Sequence, residues 1–473
     1  MNRTTDICLK GTLPRLHALA CSLSLALTIC LPLVAYAMQG SAAASLSGFV
    51  TDPAGNFIAK AQVIARNLDT GALQKTETDE RGFYRIVLLT PGRYELKVEA
   101  LGFAVSTIPE VTLSVGQAAT INVSMKIGAI QETIQVTAPL VELTRTSLDQ
   151  VLDERQVHEL PINTRNFVQL TLVTPKVVLA SSTSTRGQFM GDRYKENQFS
   201  FNGQRFQFNY QTIDGSSSFV WAANAVKSFY SLEAVKEFRV LNSIYTAEQG
   251  HALGGIITVL TRSGANDWRG ALYEFFRNDK LDKTDVLTTP GFSIFRRNQF
   301  GASAAGPILR EKLLFFGNYE GQRQAKSPRF PAVYLQNLDA INAALKRLGF
   351  PPETPFVLQT ADSDQFLTRF DLSGQNHNLM VRYNFYNTTN NNDRIGASGV
   401  VGDPITTSAA RNYRLRDQGL TASLNSTLSS RWVNAAVFGF EKHWYRLDPR
   451  PGVPRIELAV IGAFSTGVEA ADE

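Results

Sequence analysis

The hydrophobic pattern changes character along this chain. An apolar run covers residues 16–34. Between residues 45 and 128, short alternating runs are separated by turn signals at the spacing of a small β-sandwich. Runs at 46–50, 61–67, 73–78, 83–88, 94–100, 111–115 and 119–125 make about seven strands on this spacing. Asp52-Pro53-Ala54-Gly55-Asn56, Asp69-Thr70-Gly71, Asp79-Glu80-Arg81-Gly82 and Pro91-Gly92 supply the turns. From 140 to 264 no period is sustained. Residues 152–160 and 166–173 predict helical turns broken by Pro161 and Pro175. Residues 211–215 predict a short strand ending in a tight Asp214-Gly215 turn, and 232–241 a helical start with a strand-like end.

After Gly264 the alternation becomes regular. Leu420, Ala422, Leu424 and Leu428 oppose Thr421, Ser423, Asn425, Thr427 and Ser429. Leu379, Val381, Tyr383 and Phe385 oppose Arg382 and Asn384, and Phe366, Phe370 and Leu372 oppose Arg369, Asp371 and Ser373. Lipid outside and a wet lumen inside a closed sheet require this pattern, although a soluble sandwich with one wet face shows it too. With segments at 268–277, 299–306, 313–322 and 432–445, about seven such strands are expected, carrying Trp268, Trp432 and Trp444 as interfacial girdles. Residues 336–348 predict a helix in a long loop, and 387–393 an Asn-rich loop tip.

Between the two β regions lies a β-prone strip, Gln131 and then Glu132, Thr133, Ile134, Gln135, Val136, Thr137 and Ala138. Ile134 and Val136 fall on one face, with Thr133, Gln135 and Thr137 on the other, a pattern suited to adding a strand to a partner's sheet edge. The plainer reading makes the strip the last sandwich strand or a linker.

Composition narrows these readings. A chain of 473 residues holds about three domains. Removing Arg3, Lys10 and Arg15 and Asp6 from the formal charge leaves 5 − 3 + 1 = +3, too weak and too evenly spread for nucleic acid. The basic start, the apolar run and Ala35-Tyr36-Ala37 read as a secretory signal over residues 1–37, since Ser22, Ser24, Thr28 and Pro32 interrupt the run expected of an anchor. Cys8, Cys21 and Cys30 all fall inside it, so neither disulfides nor thiolate chemistry are expected in the mature chain.

Catalysis is not expected. His158, His251, His377 and His443 begin neither His-x-x-Glu nor His-Glu-x-x-His, and nucleophile-elbow and phosphate-loop patterns are absent. No cofactor or metal is expected either.

Gly48-x-Val50-x-Asp52, Ala61-x-Val63, Thr70-Gly71, Thr78-Asp79-x-x-Gly82-x-Tyr84, Pro91-Gly92-x-Tyr94 and Gly102-Phe103 resemble the carboxypeptidase regulatory-like family over residues 43–128. That resemblance implies a transthyretin-like sandwich, of a kind often grouped with carbohydrate-binding-like folds, and no peptidase activity. Leu160-Pro161-x-x-x-Arg165-Asn166, Ile213-Asp214-Gly215, Val235-x-Glu237-Phe238-x-Val240 and the glycine-rich stretch 250–261 resemble the plug of TonB-dependent outer-membrane receptors, over residues 140–264. In that family the segment before the plug is the TonB box, and 131–138 is similar to it. Asn298-Gln299-Phe300-Gly301, Gly306-Pro307-Ile308 and Leu313-Leu314-Phe315-Phe316-x-Asn318-Tyr319-Glu320-Gly321 resemble the Oar-like subgroup, with 266–473 as a partial barrel.

The expected fold is therefore mainly β: a sandwich, an α+β plug and the first strands of an incomplete antiparallel barrel. A plugged barrel needs about 22 strands of about 10 residues, whereas 473 − 265 = 208 residues follow Ala265, so a fragment is expected. The resemblance implies a receptor in the outer membrane, its sandwich in the periplasm, pulled by a TonB-type inner-membrane protein. The external ligand is left open among siderophore, glycan and peptide, and Arg186, Arg193 and Arg205 hint at an anionic group. The alternative is an adhesion protein whose sandwich binds carbohydrate or peptide, with Phe57, Phe83, Tyr84, Tyr94 and Phe103 as candidate platform.

Overall fold

The computed structural model describes residues 43–466 except 129–131, 134–147, 163–164, 181–196, 221–224, 228–229, 244–249, 282–293, 329, 331, 394–409, 430–431, 450–455 and 459–463. The expected signal segment 1–37 and Ile134 to Ala138 lie outside the described residues. No described helix is long and apolar enough to cross a membrane, which leaves crossing by strands untouched.

Strands β1 (Ala44–Thr51), β2 (Gln62–Asn67), β3 (Leu73–Glu77), β4 (Phe83–Leu89), β5 (Gly92–Glu99), β6 (Ser106–Leu113), β7 (Ala118–Thr120) and β8 (Val123–Ser124) form the first module. One sheet runs β4-β1-β7 with β8 also on β1, and the other runs β3-β2-β5-β6. Alternation decides the packing: Leu46, Val63, Ala65, Leu96 and Val98 turn inward and are buried, while their neighbours face water. Tyr84 and Tyr94 are also core, their hydroxyls donating to the Ile121 and Thr90 carbonyls at 2.7 and 2.6 Å. A two-residue strand, β9 (Glu132–Thr133), adds parallel to the start of β6.

The middle region begins with β10 (Leu148–Leu152) and α1 (Glu154–Glu159), which is opened by an Asp153 capping box. The helical turn expected at 166–173 is a 3₁₀ helix, Phe167–Val173. Strands β11 (Val177–Leu179) and β12 (Phe199–Phe201) pair with each other. Next come β13 (Tyr210–Ile213), β14 (Ser216–Ser217), β15 (Phe219–Val220), β16 (Ala225–Val226), β17 (Val235–Ser243) and β18 (Ile256–Thr261). The central sheet runs β10-β17-β18-β13-β14, and Phe167, Phe199, Phe201, Phe238 and Ile257 fill the core against it.

The third module is one antiparallel sheet of seven strands in chain order, hereafter the wall: β19 (Arg269–Asn278), β20 (Phe295–Leu309), β21 (Leu313–Lys326), β22 (Gln359–Ser373), β23 (His377–Asp393), β24 (Arg411–Thr427) and β25 (Val433–Pro449). Among the described residues its end strands do not pair with each other, so the sheet is open. Short turns at 310–312, 374–376 and 428–432 mark one rim, and the long connections mark the other. Trp268 and Trp432 sit at the short-turn rim, both exposed. The alternation read from sequence holds: Phe366 and Phe370 face outward, while Gln365, Leu367 and Arg369 of the same strand are buried against the middle region.

Some expectations need correction. The Asn-rich stretch 387–393 is not a loop tip: it ends β23, where Asn390 and Asn391 pair with Ala361 and Thr360. Polar residues suit this extension, because about 10 residues cross the hydrocarbon and a strand of 17 continues into water. The helix expected at 336–348 is α3 (Leu338–Arg347), preceded by a separate short α2 (Ala332–Gln336).

Leu96 lies fully buried at the centre of the sandwich. Replacing it with Ala should cost about 2–5 kcal/mol through lost burial and a cavity. Urea unfolding followed by hydrogen exchange of the β2 and β5 amides checks this, and an unchanged midpoint would contradict the packing.

Candidate functional site

The two-residue connection between β13 and β14 is Asp214-Gly215, with φ of 50° and 81°. Both central residues take positive φ in this tight hairpin turn, a demand that Asp-Gly meets. The turn thrusts Asp214 at one inward row of the wall, in which Phe316, Arg369, Arg382, Thr421 and Gly439 are successive cross-strand partners. Arg382 Nη1 donates to Asp214 Oδ2 at 2.6 Å, and Arg369 Nη1 approaches Oδ1 at 3.4 Å. Thr261 adds its N–H and hydroxyl at 2.9 and 2.8 Å. Arg369 also grips Asp371, and Arg382 Nη2 donates to Thr421 at 2.9 Å. Burial alone would raise the Asp214 carboxyl, but Arg382, Arg369 and the Thr261 donors together hold it below its ordinary value. At Gly439 an added Cβ would stand 2.3 Å from Ser216 Oγ, so only glycine lets β14 lie this close to β25.

The rows above repeat the device. Lys227 reaches Asp417 at 3.2 Å and Glu441 at 2.6 Å. Ser231 donates to Glu320 at 2.7 Å, and Gln365 holds the other oxygen at 2.8 Å. Near the first wall strand, Arg165 pairs with Glu233 at 2.7 Å and stacks 3.7 Å over the Phe275 ring. The middle region is thus seated on the wall through charges and hydrogen bonds together with an apolar contact at Phe316 and Leu367.

Of the strip singled out in the sequence, the structure describes only Glu132 and Thr133. They pair with Ser106 and Thr107 as a fifth strand on the sandwich edge. These two residues thus extend the sandwich sheet by one short strand. Of the three arginines considered for an anion, Arg186 and Arg193 lie outside the described residues, and Arg205 is exposed before a 3₁₀ turn. The candidate aromatic platform divides: Tyr84 and Tyr94 are buried and Phe103 packs on the core, whereas Phe57 and Phe83 each contact Phe49, at 5.6 and 5.3 Å.

Contacts from the sandwich to the other modules, which sequence reasoning did not anticipate, gather at its far end. Val115 N–H donates to Glu237 at 2.7 Å, and Arg239 donates to the Val115 carbonyl at 2.9 Å. Lys236 donates to the Pro91 carbonyl at 3.0 Å, and Arg66 meets Glu311 on a short wall turn at 2.9 Å. Sandwich, middle region and wall together line a partly open cavity of about 1210 Å³, bordered by Asn67, Thr90, Ser216, Asp371, Asn378 and Asn425 among others. Burial pushes the Glu237 carboxyl up to about 6, with Val115 N–H, Lys236, Arg239 and Ser114 opposing the shift.

Residues 45–126 match the model of the carboxypeptidase regulatory-like domain, and residues 260–338 match that of an outer membrane beta barrel domain. The TonB-dependent transporter Oar of Myxococcus xanthus is 27% identical over 263 residues, covering 52% of this chain and 23% of that protein. The chain thus spans about a quarter of the length of this curated relative. Among solved structures, the outer membrane transporter YddB of Escherichia coli aligns with TM-score 0.45 and 11% identity, over 68% of this chain and 43% of that one. The ferric enterobactin receptor PfeA of Pseudomonas aeruginosa aligns with TM-score 0.42 and 14% identity, over 63% and 41%. The barrel domain and the Oar homology place the chain in the outer membrane.

Asp214→Asn should leave Arg382 buried beside a neutral amide and weaken the seat by about 3–5 kcal/mol. Hydrogen exchange of the β13 and β14 amides would accelerate accordingly, and unchanged protection would refute the seat. The Glu237 shift predicts pH dependence. A carboxyl raised by burial from 4.5 to about 6 adds folding stability that is complete below pH 4.5 and lost as pH rises through about 6, roughly 2 kcal/mol in all. Urea unfolding of the full chain should show greater stability at pH 5 than at pH 7.5, and Glu237→Gln should flatten the difference.

Proposed function

For a chain that carries a carboxypeptidase regulatory-like domain and an outer-membrane β-barrel domain, we propose a role in energy-coupled transport of an external ligand across the outer membrane. The middle region is its plug, residues 140–264. Glu132, Thr133, Ile134, Gln135, Val136, Thr137 and Ala138 are the handle that a TonB-type inner-membrane protein grips by strand addition. The observation that carries the reading is the seat of Asp214 between Arg369 and Arg382. It is a buried but polar contact between a sheet and the inward face of a membrane wall, strong at rest and replaceable by water during movement.

Orientation agrees. Outer-membrane barrels keep short turns in the periplasm and long loops outside, and the sandwich contacts the short-turn rim through Arg66 and Glu311. A sandwich on that side meets a periplasmic partner and is out of reach of an adhesion ligand at the cell surface. The ligand class stays open among siderophore, glycan and peptide. Catalysis forms no part of this reading.

Ile134→Pro or Val136→Pro removes a ladder donor from the handle. Binding of the full-length protein to the periplasmic domain of its TonB-type partner should fall at least about tenfold, near the loss of one or two strand hydrogen bonds. Retained binding in both variants would end the assignment.

A further inference from the structure

The first plug strand and the sandwich share one side chain. Arg239 projects from β17, pairs with Asp149 of β10 at 2.6 Å, and donates to the Val115 carbonyl of the sandwich at 2.9 Å. Glu237, two residues earlier on the same strand face, accepts the N–H of that same Val115. One residue of the sandwich, Val115, is therefore held at its N–H by an anion and at its carbonyl by a cation of the plug. Gly116 makes this approach possible: its φ is 63°, and an added Cβ would lie 1.9 Å from Arg239 Nη1.

We propose that Arg239 is a latch coupling β10 to the sandwich: drawing β10 away releases the sandwich and opens the cavity that it floors. β10 is a five-residue edge strand, and its pairing with β17 is irregular between Leu148 and Asp149, at the end nearest the handle. Asp149 is thus among the first residues that a pull on the chain displaces. Arg239 and Asp149 expose only 5% and 6% of their side chains, so loss of that carboxylate leaves a cation in a dry site. The neighbouring anion is Glu237. As Arg239 turns to it, the Val115 carbonyl loses its donor and the Val115 N–H loses its acceptor together.

Three further contacts of the sandwich among the described residues are each weak. Arg66 and Glu311 form an exposed pair, worth little in water. Lys236 on the Pro91 carbonyl and the Asn266 N–H on the Asp69 carbonyl are single hydrogen bonds. Asn67, Thr70, Gln74 and Thr90 leave with the sandwich, and all four line the cavity. The sandwich becomes a lid beneath the plug, latched at rest and freed by the movement of β10. The inference rests on the handle reading only for the source of the pull.

The test is hydrogen exchange on the full chain in detergent micelles, without partner. Asp149→Asn should speed exchange of the Val115 amide at least about tenfold, with β2, β5, β13 and β18 amides unchanged. Gly116→Val should expose the same amide by crowding Arg239 while β10 stays protected. An unchanged Val115 amide in Asp149→Asn overturns the latch, as does a loss that spreads to β13 and β18. Ile134→Pro, which tests the handle, should leave the Val115 amide unchanged, so the two readings fail separately.

Discussion

Two guanidinium groups stand side by side on the inward face of the wall, and much of the molecule's arrangement answers to them. Arg369 and Arg382 are direct cross-strand partners, and like charges in that position repel. Thr421, Asp371 and the Thr261 carbonyl accept from some of their N–H groups, and among the described residues it is Asp214 that pairs with both. The wall row is complete when the plug's Asp-Gly turn is in place, and the turn is neutralised only by the wall. Neither half of this contact is comfortable alone.

That mutual dependence explains why the plug is seated rather than fused. An interface of buried leucines would gain from burial and resist any transient opening. Charge pairs spread over successive wall rows, Asp214 with two arginines and Lys227 with Asp417 and Glu441, recover solvation when water enters. The same chemistry recurs at the sandwich, where Glu237 and Arg239 hold the backbone N–H and carbonyl of a single residue, Val115. Each junction between modules thus carries polar contacts; the sandwich keeps its own apolar core, while that of the middle region takes in Phe316 and Leu367 of the wall.

Legibility followed the range of the interactions involved. Turn chemistry is local, so Asp214-Gly215 was readable, and its strand-ending turn is where the pattern put it. Period-two alternation is also local, which is why Phe366, Phe370 and Arg369 were assigned to their faces correctly. Strand β10 was missed because Leu148-Asp149-Gln150-Val151-Leu152 has no clean alternation; its strand state comes from pairing with β17, far along the chain. The Asn-rich end of β23 read as loop because asparagine is poor in strands. Two long neighbouring strands, of 15 and 17 residues, hold it extended.

The strip 131–138 shows the same divide. Its β propensity was evident, yet Glu132 and Thr133 lie on the sandwich because β6 offers a free edge there, which no local pattern announces. By itself the sequence determined the module order, the inward and outward faces of the wall strands and the turn that carries Asp214, all consequences of backbone preference and side-chain period. Only the tertiary structure decided which charges meet: that Asp214 falls between Arg369 and Arg382, and that Arg239 joins β10 to Val115. Residues 90 to 168 positions apart in the chain find each other through strand register and module docking, and neither leaves a periodic trace in the sequence.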